Sequence, residues 1–158
     1  MPSFKTTRRV RHSAAEMFAL VADVESYPSF VPLCKALTVR QRTPRGEGVE
    51  VLLADMEIGY RAIKEKFTSR VTLDRPHLKV FVEYVDGPFS HMENVWSFED
   101  EPGRPGQDQP RSRVEFFISY QFRSRMLGAL MGSVFDAAFR RFAAAFEAQA
   151  DAVYGAQP

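Results

Sequence analysis

The sequence predicts an α+β fold: a curved antiparallel sheet of about seven strands around one long C-terminal helix, with one or two short helices after the first strand. From Leu127 to Val153, apolar residues recur at helical spacing (Leu127, Leu130, Met131, Val134, Phe135, Ala138, Phe139, Phe142, Phe146, Val153), while Asp136, Arg140, Glu147 and Asp151 fall on the opposite side. Between Leu37 and Phe122 the pattern instead alternates with period two, broken by short turns, and connections this short favour antiparallel hairpins. A sheet with one apolar face must cover it, and a single amphipathic helix at the chain's end supplies the cover.

In chain order, Phe4, Thr6, Arg8 and Val10 alternate with Lys5, Thr7 and Arg9, which reads as a first strand with a solvated basic face. The basic start superficially resembles a transit peptide, but no apolar signal core follows. Ser13-Ala14-Ala15-Glu16 has the form of a capping box, and Met17, Phe18, Leu20 and Val21 supply a buried side, so a short helix is expected over 13–23. In the segment from Tyr27 to Cys34, Pro28 and Pro32 bias their predecessors away from helix, giving an apolar elbow or short helix. Strands are expected at 35–43, 48–58, 62–74, 78–86, 91–100 and 112–123. The stretch from Glu101 to Arg111, with three prolines and two glycines, is expected to be a solvated loop.

At 158 residues, the chain is expected to form a single domain over 1–158, large enough to bury a real core. With 21 basic and 20 acidic side chains the net charge is +1, so no whole-molecule field draws it to nucleic acid or an anionic membrane. Cys34 is the single cysteine, which rules out an internal disulfide and any zinc site built on several cysteines. The longest weakly polar run, Leu127 to Phe135, falls far below the roughly 20 residues that span a bilayer. A soluble chain in a reducing cytosolic setting is the reading.

Catalytic signatures are largely missing: no G-x-S-x-G elbow, P-loop, G-x-G-x-x-G or H-E-x-x-H occurs. His12, His77 and His91 lie far apart beside turns, without metal-ligand spacing, and read as surface or turn histidines. Cys34, next to an aromatic elbow, reads as a small buried hydrophobe rather than a nucleophile. Glu99, Asp100 and Glu101 read as a solvated rim, and Asp55 and Glu57 as one face of a strand. Two basic clusters, Arg8, Arg9 and Arg11 with Arg40, Arg42 and Arg45, read as solvated strand faces, because the aromatics that nucleic-acid binding would need point inward. Gly128 and Gly132 are expected to let the helix approach the sheet closely.

What remains is the interior. Phe67, Val71, Leu73, Phe81, Trp96, Phe98, Phe116, Ile118 and Tyr120, with the helix stripe, offer more large side chains than a thin layer needs. Periodicity alone favours a filled core and leaves an apolar cavity as the alternative. A ligand in such a cavity would meet Phe67, Phe116, Ile118, Tyr120, Phe135, Phe139 and Phe142.

The run Asp23-Val24-Glu25-Ser26-Tyr27-Pro28-Ser29-Phe30-Val31-Pro32-Leu33-Cys34 resembles the coenzyme Q-binding START-domain family. So do Val85-Asp86-Gly87-Pro88-Phe89 followed by Trp96-Ser97-Phe98, and Phe122-Arg123-Ser124 leading to Ala145-Phe146-Glu147 and Val153-Tyr154-Gly155. The same motifs occur in bacterial members described as ribosome-association toxins, within the polyketide cyclase/dehydrase-like superfamily. The resemblance runs from about Ser3 to Gly155. It implies a helix-grip (START-like) fold whose hydrophobic tunnel holds ubiquinone or a similar polyprenyl lipid, with no catalytic cofactor. Such proteins act as carriers or chaperones that support respiration without catalysis. On that carry-over Tyr27, Phe30, Val31 and Pro32 form the cavity mouth, Lys35 sits beside it and Trp96 lines the interior. Leu33 departs from a Pro-Trp-Cys pattern by lacking the aromatic ring.

The leading function is therefore non-enzymatic lipid binding, with transient contact to a membrane surface and delivery to respiratory-chain components. The expected location is cytoplasmic and peripheral to the inner membrane. A protein that docks on the large ribosomal subunit is the first alternative and would show steep salt dependence. An aromatase/cyclase-like enzyme is the second, and it lacks a convincing acid–base pair.

Overall fold

The computed structural model describes residues 3–102 and 110–155. Of the loop expected between Glu101 and Arg111, residues 103–109 lie outside the described residues. The elements run β1 (Ser3–Val10), α1 (Ala14–Ala22), a 3-10 helix (Val24–Ser29), β2 (Cys34–Pro44), β3 (Val49–Tyr60), β4 (Ile63–Asp74), β5 (Lys79–Asp86), β6 (Phe89–Asp100), β7 (Ser112–Phe122) and α2 (Arg125–Tyr154). The order and number of elements match those expected from the sequence.

Local chemistry sets the helix ends. The Ser13 hydroxyl accepts from the Glu16 amide at 3.1 Å while the Glu16 carboxylate accepts from the Ser13 amide at 2.9 Å, completing the capping box of α1. Ser124 caps α2 by accepting from the Leu127 amide, and Gly155, at φ +87°, ends it.

The strands form one antiparallel sheet in the order β1-β7-β6-β5-β4-β3-β2. Strands β2 to β7 are a meander, and β1 adds to the β7 edge. Irregular register between Cys34 and Ala36, Val39 and Gln41, Thr68 and Ser69, and Phe89 and His91 interrupts the ladders, and such bulges bend strands and increase twist. The sheet curls, and its inner face carries the buried Leu52, Ala54, Val71, Trp96, Phe98, Val114 and Phe116. Helix α2 packs on β1, β7 and α1, at one side of that face.

Four expectations need correction. Phe81 lies on the outer face, because Val80 is the buried residue of its strand and pairs with the inward Trp96. Leu130 and Val153 are exposed although they belong to the helical stripe, since they sit near the two ends of α2. Gly128 does come within ordinary contact of Phe122, but Gly132 meets nothing that a methyl group would touch. His12 is not a surface histidine: it is 1% exposed, its Nε2 lying 2.7 Å from Asp151 Oδ1, so it ties the end of β1 to the end of α2.

Four arginines of the basic clusters are paired with carboxylates. Arg8 meets Glu147 at 2.6 Å, Arg9 meets Glu101 at 3.2 Å, and Arg42 meets Glu25 and Glu50. Arg40 grips Asp55 with two hydrogen bonds of 2.7 Å, and the Thr68 hydroxyl donates to the same carboxylate. The Arg40 hydrogen bonds, and then that of Thr68, hold the Asp55 carboxyl below the usual carboxylate range. A carboxylate with a lower folded value stabilises the fold fully above its unfolded value of about 3.9, and this contribution is lost as pH falls below that value. Asp55→Asn is expected to lower stability at neutral pH by about 1 to 3 kcal/mol. In urea unfolding at pH 7 and pH 3, the gap between variant and parent should shrink at the lower pH; a gap that does not change with pH would reject this account.

Candidate ligand-binding cavity

Because α2 lies toward β1 and β7, the inner faces of β3, β4 and β5 are left facing open space, and the elbow after α1 closes it from the side. The result is a cavity of about 100 Å³. Its wall is formed by the elbow (Tyr27, Val31, Pro32, Leu33), the inward residues of β2 to β7, and the α2 phenylalanines.

Of the side chains expected at a ligand site, Tyr27, Val31, Pro32, Phe67, Trp96, Ile118, Phe135, Phe139 and Phe142 line this cavity. Phe30, Lys35, Phe116 and Tyr120 do not. Phe30 stands behind the wall, its ring 4.9 Å from Phe146 and 6.2 Å from Tyr27. Lys35 is exposed at the start of β2, its side chain beside Gly59. Phe116 is buried among Phe4, Trp96 and Phe142. Tyr120 packs with Phe139 at 5.1 Å, between sheet and helix.

Sequence reasoning missed Ala54, Met56 and Ile58 on β3, Ser69 on β4, Phe89 and Asn94 on β6, and Phe146 on α2 as cavity residues. The period-two parity of β3 carries the signal for its three residues. Ser69 and Asn94 share the inward parity of Phe67 and Val71 on β4 and of Met92 and Trp96 on β6, but their polarity hides that signal.

The elbow is held by backbone geometry. Leu33 adopts φ +69°, and its carbonyl accepts from the Gly59 amide at 3.0 Å, which docks the elbow on the end of β3. Leu33 itself joins the wall in place of the aromatic ring. Tyr27 is half-buried as a whole, with its hydroxyl enclosed and donating to the Val21 carbonyl. Burial first, and then the nearby Cys34 and Asp23, push that hydroxyl far above its ordinary value, so it stays protonated. Burial also pushes the Cys34 thiol up to about 11, which leaves it an inert, small apolar residue at neutral pH.

The cavity holds no acid–base pair. Among the described residues no group of three His, Cys, Asp or Glu side chains could hold a metal ion, and no helix is long and apolar enough to cross a membrane. This arrangement can enclose an apolar molecule and contact its polar end at a few places.

Residues 10–147 match the family model described as polyketide cyclase / dehydrase and lipid transport. The chain belongs to this START-like family. It is 30% identical to the ribosome association toxin RatA of Escherichia coli over 157 residues, covering 99% of this chain and 92% of that protein. It is 32% identical to the mitochondrial coenzyme Q-binding protein COQ10 homolog B of Xenopus laevis, covering 92% of this chain and 56% of that protein. Among solved structures, an 18 kDa protein of Caulobacter crescentus superposes with a TM-score of 0.76 at 31% identity, covering 99% of this chain and all of that one. The Zhui aromatase/cyclase of a Streptomyces species shares the fold with a TM-score of 0.70 at 17% identity, over 99% of each chain.

Proposed function

We propose that this protein binds ubiquinone or a similar polyprenyl lipid without catalysing a reaction, shielding it in transit to respiratory components. One observation carries the reading: the cavity wall is apolar and aromatic around almost its whole circumference and contains no group suited to acid–base or nucleophilic chemistry. Each prenyl methylene removed from water contributes about 0.8 kcal/mol, so such a wall can retain a tail with no covalent or ionic anchor. At about 100 Å³ the cavity is smaller than the roughly 300 to 1,000 Å³ of ligand pockets, so a ligand enters as α2 and the elbow move apart.

The start of α2 also offers a surface for peripheral contact with an inner membrane. Met126 and Leu130 are exposed on the first turns of α2, Arg123 and Arg125 are exposed beside them, and Val85 is exposed on the neighbouring β5–β6 hairpin. Apolar side chains flanked by arginines suit an anionic bilayer surface. Organic extracts of natively purified protein, analysed by mass spectrometry, are expected to contain ubiquinone or a related polyprenyl lipid in stoichiometric amount.

A second reading, docking on the large ribosomal subunit, is supported by the toxin relative that matches nearly the whole chain. Against it, Arg8, Arg9, Arg40 and Arg42 already face carboxylates. Repeated recovery of no lipid, together with salt-sensitive co-sedimentation with ribosomal subunits, would decide for that reading.

A further inference from the structure

Besides the aromatic Tyr27 and Trp96, two polar side chains interrupt the apolar wall. Ser69 on β4 is 5% exposed and Asn94 on β6 is 9% exposed, and both border the cavity. They belong to one patch of the inner face: Asn94 pairs with Val82 of β5, Val82 pairs with Val71 of β4, and Ser69 is the next inward residue along β4. The Asn94 amide nitrogen donates to the Phe117 carbonyl at 2.8 Å, so its nitrogen end is turned toward β7 and its carbonyl oxygen has no partner among the described residues. Turning the amide over would set that oxygen against the Phe117 carbonyl, acceptor against acceptor, which pins the orientation. The Ser69 hydroxyl makes no hydrogen bond to the described residues. The wall holds two further polar groups: the Tyr27 hydroxyl, already committed to Val21, and the Trp96 indole N–H, which only donates and so serves a quinone oxygen and a quinol oxygen alike.

A hydroxyl and an amide oxygen without partners among the described residues, each on a buried side chain that borders the cavity, mark where a ligand's polar atoms belong. The two are not equivalent. A serine hydroxyl donates or accepts, whereas the Asn94 oxygen only accepts. We infer that Ser69 and Asn94 hold the ring head of the lipid, and that Asn94 favours a head bearing a hydroxyl donor. A quinol ring carries two such donors. The oxidised quinone carries only acceptors and meets the Asn94 oxygen without a hydrogen bond. This assignment rests on the cavity being the lipid site, and it adds selectivity for the reduced form.

Calorimetric titration with a short-tailed ubiquinone analogue, oxidised and anaerobically reduced, tests it. The parent protein is expected to bind the reduced analogue about three- to tenfold more tightly, the value of one net hydrogen bond. Asn94→Leu should remove that preference while still binding both forms. Ser69→Ala, a deletion of one hydroxyl that leaves strand packing intact, should weaken both forms by a similar factor and keep the preference. Equal binding of the two forms by the parent protein would overturn the Asn94 assignment, with water then satisfying the pair, and would leave the lipid site standing. A preference that survives in Asn94→Leu would overturn it as well. Failure of the parent protein to bind either form would instead reject the lipid reading itself, and the selectivity with it.

Discussion

Phe116→Ala is expected to lower the unfolding free energy by about 3 to 5 kcal/mol, the range for truncating a phenylalanine in a close-packed core. Phe116 is 1% exposed and borders no part of the cavity. Its ring contacts come from three separate elements: Phe4 of β1 at 6.2 Å, Trp96 of β6 at 4.7 Å and Phe142 of α2 at 5.8 Å. Removing the ring leaves a void that these elements cannot close without breaking sheet or helix register. Phe139 provides the contrast. It is 8% exposed, two of its ring partners are its own helix neighbours Phe135 and Phe142, and one side faces the cavity. Its truncation enlarges a space that already exists, so Phe139→Ala should cost less than about 3 kcal/mol while weakening lipid retention. Denaturant unfolding of lipid-free protein separates the two. Equal losses at both positions would mean that no cavity borders Phe139.

Gly87→Ala is the second substitution with a large expected effect, more than about 2 kcal/mol. Gly87 forms the β5–β6 turn at φ +144°, a conformation open to glycine and strained for other residues. An added methyl group would stand 2.5 Å from Phe67 Cβ, 2.9 Å from Phe67 Cα and 3.1 Å from the Lys66 carbonyl. The obstacle is backbone and the root of a side chain, so no rotamer change relieves it; the hairpin must move away from β4. Phe67 lines the cavity, so the displacement should also reduce lipid binding. Gly46→Ala is the control, since Gly46 also has positive φ but an added methyl there meets nothing within 4 Å. If the two glycine variants unfold at the same denaturant concentration, the contact with Phe67 is not what matters.

Local signals in the sequence are sufficient for the elements and long-range ones are hidden. The Ser13–Glu16 box, the prolines of the elbow and the alternation of β7 each announce their structure within a few residues, which is why those boundaries are legible. Leu130 and Val153 share the helix's apolar period, yet whether a position is covered depends on where the sheet ends, and periodicity contains no such information. His12 reads as a surface residue because Asp151, the partner that makes its burial tolerable, is contributed by the far end of the chain. Cavity and core differ in the sequence not at all: Phe116 and Phe139 occupy equally apolar positions, and only the placement of α2 toward β7 sets one in contact on every side and the other beside a gap. Ser69 and Asn94 share the inward parity of their apolar strand neighbours, but that they face the same space follows only from the curl of the sheet.

The place of β1 in the sheet has a consequence for how the molecule comes into being. The β2–β7 meander joins neighbours in sequence, so each hairpin forms as soon as its second strand has been synthesised. Strand β1 is made first but has no ladder until β7 arrives, with most of the chain between them. The contacts that seat the end of the helix, Arg8 with Glu147 and His12 with Asp151, come later still. A nascent chain therefore carries an unpaired leading strand beside a sheet whose apolar inner face is still uncovered, and it is in this unfinished state, rather than as the completed protein, that it is most open to aggregation or to capture by a chaperone.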